Sequence, residues 1–301
     1  MNFLELLLPD FSLILVGWLV CNFTALNRTV WQPVEGLVYY FLFPVLLFHS
    51  IARSPLDIGS ASSLVAAGML MVASGIGMAY SLPHLPWIGR HIDRREHAAS
   101  AQIAFRFSTF IALALTERLT GPRGTLMIAM LVGFCVPLVN IGAVWPMARH
   151  GGHGLVREIA RNPLVIATAV GLVANVLGFR LSPWMEPTIA RIGSAALPLG
   201  LMAAGAGLHF GALARSRTLT VGLLSIRHLL LPLVALALIW IFKLDPVQRT
   251  VLLIYSAVPT ASSCYVLAVR MGYDGSYVAA LVTLSTVLGL ASLPFALAVL
   301  R

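Results

Sequence analysis

Apolar residues are arranged along this chain in long runs that short polar segments separate. A helix needs about 20 mainly apolar residues to cross the hydrocarbon core of a membrane. Ten runs approach that length, at residues 3–24, 34–52, 61–81, 98–117, 124–147, 162–180, 193–212, 220–242, 248–270 and 275–299. The pattern predicts an all-α polytopic membrane protein with ten transmembrane helices.

The composition agrees with a chain that is surrounded by lipid. Hydrophobic residues make up 59% of the sequence and charged residues 10%, whereas a soluble domain has about 25% charged residues. The net charge of +9 comes from arginines scattered through the short connections, which is typical of cations at lipid headgroups. We therefore predict a lipid bilayer as the surroundings and no nucleic-acid partner.

The two halves of the chain carry similar residues at a nearly constant spacing. Three pairs lie 152 to 157 positions apart: Pro44 and Pro198, Arg118 and Arg270, and Pro137 and Pro294. This spacing predicts two five-helix repeats, residues 1–149 and 150–301. Because five is odd, the second repeat enters the membrane from the opposite side, which gives an inverted-topology repeat. A small excess of arginine in alternate connections predicts that both termini lie outside the cytoplasm.

The ninth run contains residues that interrupt a helix. Pro259 lacks a backbone N–H and disfavours helical geometry at Val258. Thr260, Ser262 and Ser263 follow, and their hydroxyls could satisfy the freed backbone groups. A simple proline kink is the alternative interpretation. Breaks in matching spans of two inverted repeats, however, are the best sequence indication of a transporter's binding site.

The matching fourth run carries a charge in its middle. Arg106, followed by Ser108 and Thr109, aligns approximately with Val258 at the 152-residue spacing. Three roles are open for it: a clamp for a substrate anion, a partner for a buried acid, or a side chain that reaches an interface. A guanidinium beside the N–H groups of broken helices would favour an anion. The predicted substrate site comprises Arg106, Ser108, Thr109, Pro259, Thr260, Ser262 and Ser263.

The last two runs resemble a known family. The stretch "VPTASSCYVLAVRMGYDGSYVAALVTLSTVLGLASLP" is similar to the C-terminal signature of the auxin efflux carrier family, and "LPLGLMAAGAGL" and "FPVLLFHSIA" resemble its seventh and second spans. The resemblance implies ten spans in two inverted repeats, with helices 4 and 9 broken where they cross. It also implies a fold shared with bile-acid symporters and Na⁺/H⁺ antiporters, and a place in the bacterial inner membrane.

The resemblance also bears on substrate and on the fourth span. Bacterial relatives are carriers of malate, malonate and similar carboxylates. Many relatives have an asparagine where Ser108 or Phe107 stands and a proline near Ala114, whereas this chain has neither between Ala98 and Gly121. We therefore expect a less sharply broken fourth span.

Three further polar residues are candidates for lining the cavity or for coupling transport to an ion: Asn140, His49 and Asp10. Each also has an ordinary structural explanation. Asn140 would form interhelical hydrogen bonds, His49 would lie at the interface near Arg53, and Asp10 would begin a helix.

These features predict a secondary transporter, rather than an enzyme, that moves a small organic anion by alternating access. Malate, malonate and an auxin-like acid are the expected kinds of substrate. The alternatives are a cation/proton exchanger of the same fold and, from other classes, a membrane-embedded enzyme or a signalling subunit. No cofactor and no metal site are predicted, and coupling to H⁺ or Na⁺ and formation of a homodimer are left open.

Overall fold

A computed structural model describes residues 3–53, 58–151, 163–207, 216–261 and 263–299. The regular structure in these ranges is helical and contains no β-strand. The helices are α1 Phe3–Phe23, α2 Arg28–Leu37, α3 Phe43–Arg53, α4 Ile58–Ser81, α5 Arg94–Ser100, α6 Thr109–Gly151, α7 Pro163–Val176, α8 Glu186–Ala206, α9 Arg217–Ser225, α10 Leu231–Ile241, α11 Pro246–Ala257, α12 Ser263–Arg270 and α13 Gly275–Val299.

Several of these helices are long and apolar enough to cross a membrane. Within the described ranges there are five such segments: Arg28–His49, Ser62–His84, Met130–Ala148, Arg217–Ile241 and Gly275–Ala298. Two of them are continuous only because a π-helical turn joins two helices, at Val38–Leu42 between α2 and α3 and at Ile226–Leu230 between α9 and α10. The prediction of an all-α, multi-pass membrane protein is thereby confirmed.

The 43 residues of α6 form two helices rather than one. Gly121 has φ 64° and ψ −159°, a conformation that glycine adopts at little cost because it has no Cβ atom. The chain turns at this residue. The fourth predicted span therefore ends before Gly121, and the fifth begins after it.

Two stretches inside predicted spans are not helical, and they contact each other. Residues 106–108 separate the short helical turn Ala101–Ala104 from α6, and residues 258–261 follow α11. The amide N–H of Ser108 donates a hydrogen bond of 2.9 Å to the carbonyl oxygen of Pro259. The two interruptions therefore lie side by side in the interior of the protein.

The two interruptions have different causes. In the ninth span, Val258 adopts φ −61° and ψ 149°, the extended geometry expected before a proline. The fourth span has no such residue, yet it is broken as completely, so the expectation of a less sharp break was wrong. Its α-helix tightens into a 3₁₀ turn at Ala101–Ala104, a geometry that seldom continues beyond a few residues, and Ser108 then donates its N–H across to Pro259.

The helices pack into two groups. α1, α2, α3, α7 and α8 contact mainly one another, and α4, α5, α6 and α9 to α13 form the second group. The large hydrophobic core belongs to the second group, whereas the first holds two small clusters around Ala196 and Ala203. Both interruptions belong to the second group, on the side that faces the first.

Close contact between α1 and α8 depends on glycine. A Cβ atom at Gly205 would overlap the carbonyl oxygen of Ile14, and one at Gly17 would overlap that of Met202. We expect Gly205→Val to lower the free energy of unfolding by about 1–3 kcal/mol, the usual cost of overpacking. Unfolding in mixed detergent micelles measures this. Gly77→Val is the matched control, because a Cβ atom at Gly77 meets nothing within 4 Å, and an equal loss in both variants would contradict the packing explanation.

Candidate functional site

Arg106 lies where the two interruptions meet. Its side chain is buried, with 5% of the residue exposed. Nη1 donates to the Gln102 Oε1 atom at 3.1 Å, and Nη2 donates to the Ser263 hydroxyl at 3.0 Å. Both partners are neutral, and no carboxylate of the described residues forms an ion pair with this guanidinium. A buried cation with neutral partners attracts an anion.

Gln102 connects the two broken spans, and the sequence did not single it out. Its Nε2 atom donates to the carbonyl oxygens of Ala99 at 2.9 Å and Cys264 at 3.1 Å, while Oε1 accepts from Arg106. The residue is 1% exposed. One amide side chain therefore holds α5, α12 and the guanidinium in a fixed arrangement. A polar residue one helical turn before Arg106 was the available sequence signal.

A cavity of about 60 Å³ opens beside Arg106. This volume holds several water molecules, since one needs roughly 10–15 Å³ of such space. Arg106, Ser108, Thr109 and Ser263 line it together with Asn140. The remaining lining residues are apolar: Phe43, Leu46, Leu47, Phe107, Val136, Val139 and Ala261. Phe43, Leu46 and Leu47 come from α3 of the first helix group, so the cavity lies between the two groups.

Asn140 presents an unsatisfied donor at this cavity. The residue is 1% exposed, and its Nδ2 atom has no hydrogen-bond partner within the described part of the protein. Buried polar groups normally have a partner, so one without a partner calls for an explanation. A ligand in the cavity would supply such a partner.

The charge at the cavity is positive. Of the described residues that line it, Arg106 is charged and none is acidic. α6 begins at Thr109, at the edge of the cavity, and the N-terminus of a helix carries partial positive charge. The site therefore combines a guanidinium, an amide donor, hydroxyls and a helix N-terminus, which is the chemistry that binds a carboxylate.

The other predicted site residues are placed differently. Pro259 and Thr260 lie in the ninth-span interruption but do not line the cavity. The Thr260 N–H donates to the Ser285 hydroxyl at 3.0 Å, and the Thr260 hydroxyl lies 3.6 Å from the Cys264 sulfur. The polar groups of Thr260 are therefore used by Ser285 and Cys264. Ser262 lies outside the described residues.

His49 is not among the residues that line the cavity. His49 is half-buried on α3, one turn from Arg53, which forms an ion pair of 2.5 Å with Glu186. Asp10 belongs to α1, and its side chain lies outside the described part of the structure. Of the three residues considered for cavity lining or coupling, the structure brings Asn140 to the site.

A second buried arginine secures the ninth-span interruption from behind. Arg227, on the π-helical turn of the eighth span, is 1% exposed. Its Nε atom donates to the carbonyl oxygen of Val258 at 2.9 Å, and Nη2 donates to that of Tyr255 at 3.2 Å and also to that of Val258. These carbonyls are freed where α11 ends, and a cation at the C-terminal end of a helix is stabilising.

Sequence reasoning missed Arg227, although the signal was present. The residue is a charge inside the eighth apolar run, and this criterion had singled out Arg106 in the fourth. The two arginines have opposite tasks. The guanidinium of Arg227 donates hydrogen bonds to backbone carbonyls, whereas that of Arg106 faces a cavity.

A helical, multi-pass membrane protein with a cationic cavity where two interrupted helices meet has the arrangement of a membrane transporter. The chain belongs to the membrane transport protein family, the family of auxin efflux carriers that its sequence resembles: the family's profile matches residues 147–297. The predictions of a transporter and of this family are thereby confirmed.

Two relatives align over nearly their whole length. A protein of Rhizobium meliloti (strain 1021) with the name "Putative malonate transporter" is 24% identical over an alignment of 313 residues including gaps, and the alignment covers 98% of this chain and 95% of that protein. A protein of Methanothermobacter thermautotrophicus with the name "Uncharacterized transporter" is 24% identical over 297 residues, 96% of each chain.

Proposed function

We propose that this protein is a secondary transporter that carries a small carboxylate across the membrane by alternating access. The observation that carries the proposal is Arg106, a buried guanidinium with neutral partners that faces a cavity between two broken helices. In the proposed site, Arg106 binds the carboxylate, Asn140 Nδ2 donates a further hydrogen bond, and the Ser108 and Ser263 hydroxyls complete the binding.

The charge at the cavity favours a small acid. Arg106 is the charged residue among those that line it, and the hydroxyls of Ser108, Thr109 and Ser263 and the amide of Asn140 add hydrogen-bonding groups for a carboxylate. The name of the Rhizobium relative points the same way. We therefore place malonate first among the substrates to test.

The proposed architecture has ten spans in two inverted repeats, residues 1–149 and 150–301. Arg106 in one interruption and Val258 in the other are 152 positions apart. The turns that follow the two broken spans contain Gly121 and Gly272, 151 positions apart, with φ values of 64° and 78°. Equivalent breaks followed by equivalent turns support an internal repeat with inverted topology.

The two helix groups suggest how access would alternate. The cavity has one wall from α3 in the first group and the others from the second group, which carries both interruptions. Movement of one group against the other would open the cavity to each side of the membrane in turn. We further propose that the protein lies in the bacterial inner membrane with both termini outside the cytoplasm, and we leave a homodimer open.

A cation/proton exchanger of the same fold has less support. It would need an available carboxylate beside the interruptions. Glu35 is a buried acid near Ser263, but it is paired with Arg28 at 2.7 Å. A membrane-embedded enzyme would need clustered catalytic groups, and a signalling subunit would leave a cationic cavity without a purpose.

Uptake into proteoliposomes tests the proposed function. Purified protein is reconstituted into vesicles that each contain one unlabelled solute, and uptake of the same radiolabelled solute is measured for malonate, malate, succinate and indole-3-acetate, with choline as a cationic control. We expect exchange of malonate or malate above that of protein-free vesicles. The proposal would be overturned if the protein exchanged choline and did not exchange any of the four acids.

Asn140→Leu separates binding from stability. The change removes a donor that lacks a protein partner, so we expect malonate affinity to fall about threefold to tenfold, the value of one neutral hydrogen bond. Stability should hold or rise by about 1 kcal/mol, because an unpaired buried polar group is costly. Calorimetric binding and unfolding in micelles measure the two effects. A clear loss of stability with unchanged affinity would mean that Asn140 has a purely structural role.

A further inference from the structure

A buried chain of polar groups leads from the ninth-span interruption to a histidine. The Thr260 backbone N–H donates to Ser285 Oγ at 3.0 Å. Ser285 Oγ lies 2.9 Å from His228 Nε2, and His228 Nδ1 lies 2.8 Å from Ser292 Oγ. Both ring nitrogens therefore have a hydroxyl partner, and the ring is joined to the interruption through one serine.

The π-helical turn Ile226–Leu230 makes this arrangement possible. It widens the eighth span, so that the adjacent residues Arg227 and His228 both reach inward. Arg227 binds the carbonyl of Val258, and His228 binds the serine that holds the N–H of Thr260. Such widened turns frequently occur at functional sites in helices. The two side chains hold the same interruption from its two sides.

The protonation state of His228 decides the direction of these hydrogen bonds. A neutral imidazole has one donor and one acceptor nitrogen, whereas an imidazolium has two donors. Ser285 Oγ already accepts from Thr260, so its hydroxyl hydrogen is available to a bare Nε2 atom. When Nε2 gains a proton, it becomes a donor to Ser285 Oγ, and the hydroxyl hydrogen must turn away. Ser285 Oγ then accepts from both Nε2 and the Thr260 N–H, so protonation acts on the serine that fixes the Thr260 amide.

The groups that face His228 are few. On its own turn the charged neighbour is Arg227. α13 packs against this turn and contributes the hydroxyls of Ser285 and Ser292. α11 contributes Tyr255, whose backbone carbonyl accepts from Arg227. As far as the described residues go, no carboxylate forms an ion pair with the ring. Arg227 disfavours a second positive charge beside it, and no acid of the described residues offsets that repulsion, so an arriving anion would favour a proton on His228.

We infer that His228 is the proton-binding site that couples carboxylate transport to H⁺. The inference rests on the proposed transport function. The carboxylate binds at Arg106 on one side of the crossing, the proton binds at His228 on the other, and the Thr260–Ser285 hydrogen bond connects them. This assigns the coupling ion as H⁺ rather than Na⁺.

His228→Gln in proteoliposomes tests the inference. Glutamine keeps a donor and an acceptor for the two serines but does not titrate. Two activities of [¹⁴C]malonate are compared: exchange against internal malonate, and net accumulation driven by a gradient of one pH unit of either polarity, with valinomycin and K⁺ to clamp the membrane potential. His91→Gln, an exposed histidine outside the network, is the matched control.

Wild type and His91→Gln should accumulate malonate about tenfold under one polarity of the gradient, the limit for one proton per malonate molecule. His228→Gln should retain exchange and lose accumulation. Should glutamine prevent folding, His228→Asn replaces it.

The contrary outcomes are distinct. Wild-type exchange without net accumulation under either polarity of the pH gradient, or accumulation by a folded His228 variant equal to that of wild type, overturns the proton site alone. Absence of malonate exchange in wild type rejects malonate transport and the coupling inference with it.

Discussion

We expect Arg106→Ala to lower the affinity for malonate about 10-fold to 100-fold and to reduce uptake at low substrate concentration to the background. A hydrogen bond to a charged group contributes about 1.5–3 kcal/mol, and 1.4 kcal/mol corresponds to a factor of ten. Of the partners that remain, Ser263 lines a cavity that can admit water, and truncation at position 106 extends that cavity towards Gln102 Oε1. The loss should therefore appear in calorimetric binding and in uptake, with little change in stability.

Two further variants sharpen this test. Arg106→Lys keeps the charge but loses the planar pair of donors, so its affinity should fall between those of wild type and the alanine variant. Arg217→Ala removes an exposed arginine at the start of α9 and should bind as wild type does. Equal affinity in Arg106→Ala and wild type would remove Arg106 from the substrate site, and a folded wild type that binds no carboxylate would remove the site itself.

The second large effect is expected at Arg227. In Arg227→Met the side chain keeps its length but loses its donors, and the carbonyls of Tyr255 and Val258 are left without these partners. Each unsatisfied buried group costs about 1–3 kcal/mol, so the free energy of unfolding should fall by about 2–6 kcal/mol. Titration from dodecyl maltoside into sodium dodecyl sulfate micelles measures the change.

Arg217→Met serves as the control for this prediction, because it makes the same substitution at an exposed position. A loss of less than about 1 kcal/mol in Arg227→Met would show that other groups satisfy the two carbonyls. The two arginines are then distinguished by opposite profiles. Substitution of Arg106 should lower the affinity for malonate with little change in stability, whereas substitution of Arg227 should mainly lower stability.

The sequence located the interruptions better than it explained them. Pro259 indicates a break because it lacks a backbone N–H donor, and Arg106 indicates a site because a charge is costly in hydrocarbon. The fourth-span break has no such local cause. It depends on Ser108 donating to Pro259, and a hydrogen bond between residues 151 positions apart leaves no mark in the local sequence.

The choice among the three roles of Arg106 also required tertiary contacts. Its side chain does not pair with an acid of the described chain and does not reach an interface, because Gln102 and Ser263 hold it beside the cavity. Ser263 is 157 positions from Arg106. The order of residues alone could not show that Asn140 joins this cavity while the hydroxyl of Thr260 turns to Cys264.

The amino-acid sequence by itself determined that this chain is a membrane protein, that it is helical and that it is a transporter. These properties follow from features that are local along the chain: apolar runs of bilayer length, few charges, and a proline inside a span. The tertiary structure alone decided which polar groups face one another at the crossing, because each freed backbone group must find a partner where no water is available. Those partners come from other spans, as Arg227 does for Val258 and Ser108 for Pro259, and only the folded chain brings them together.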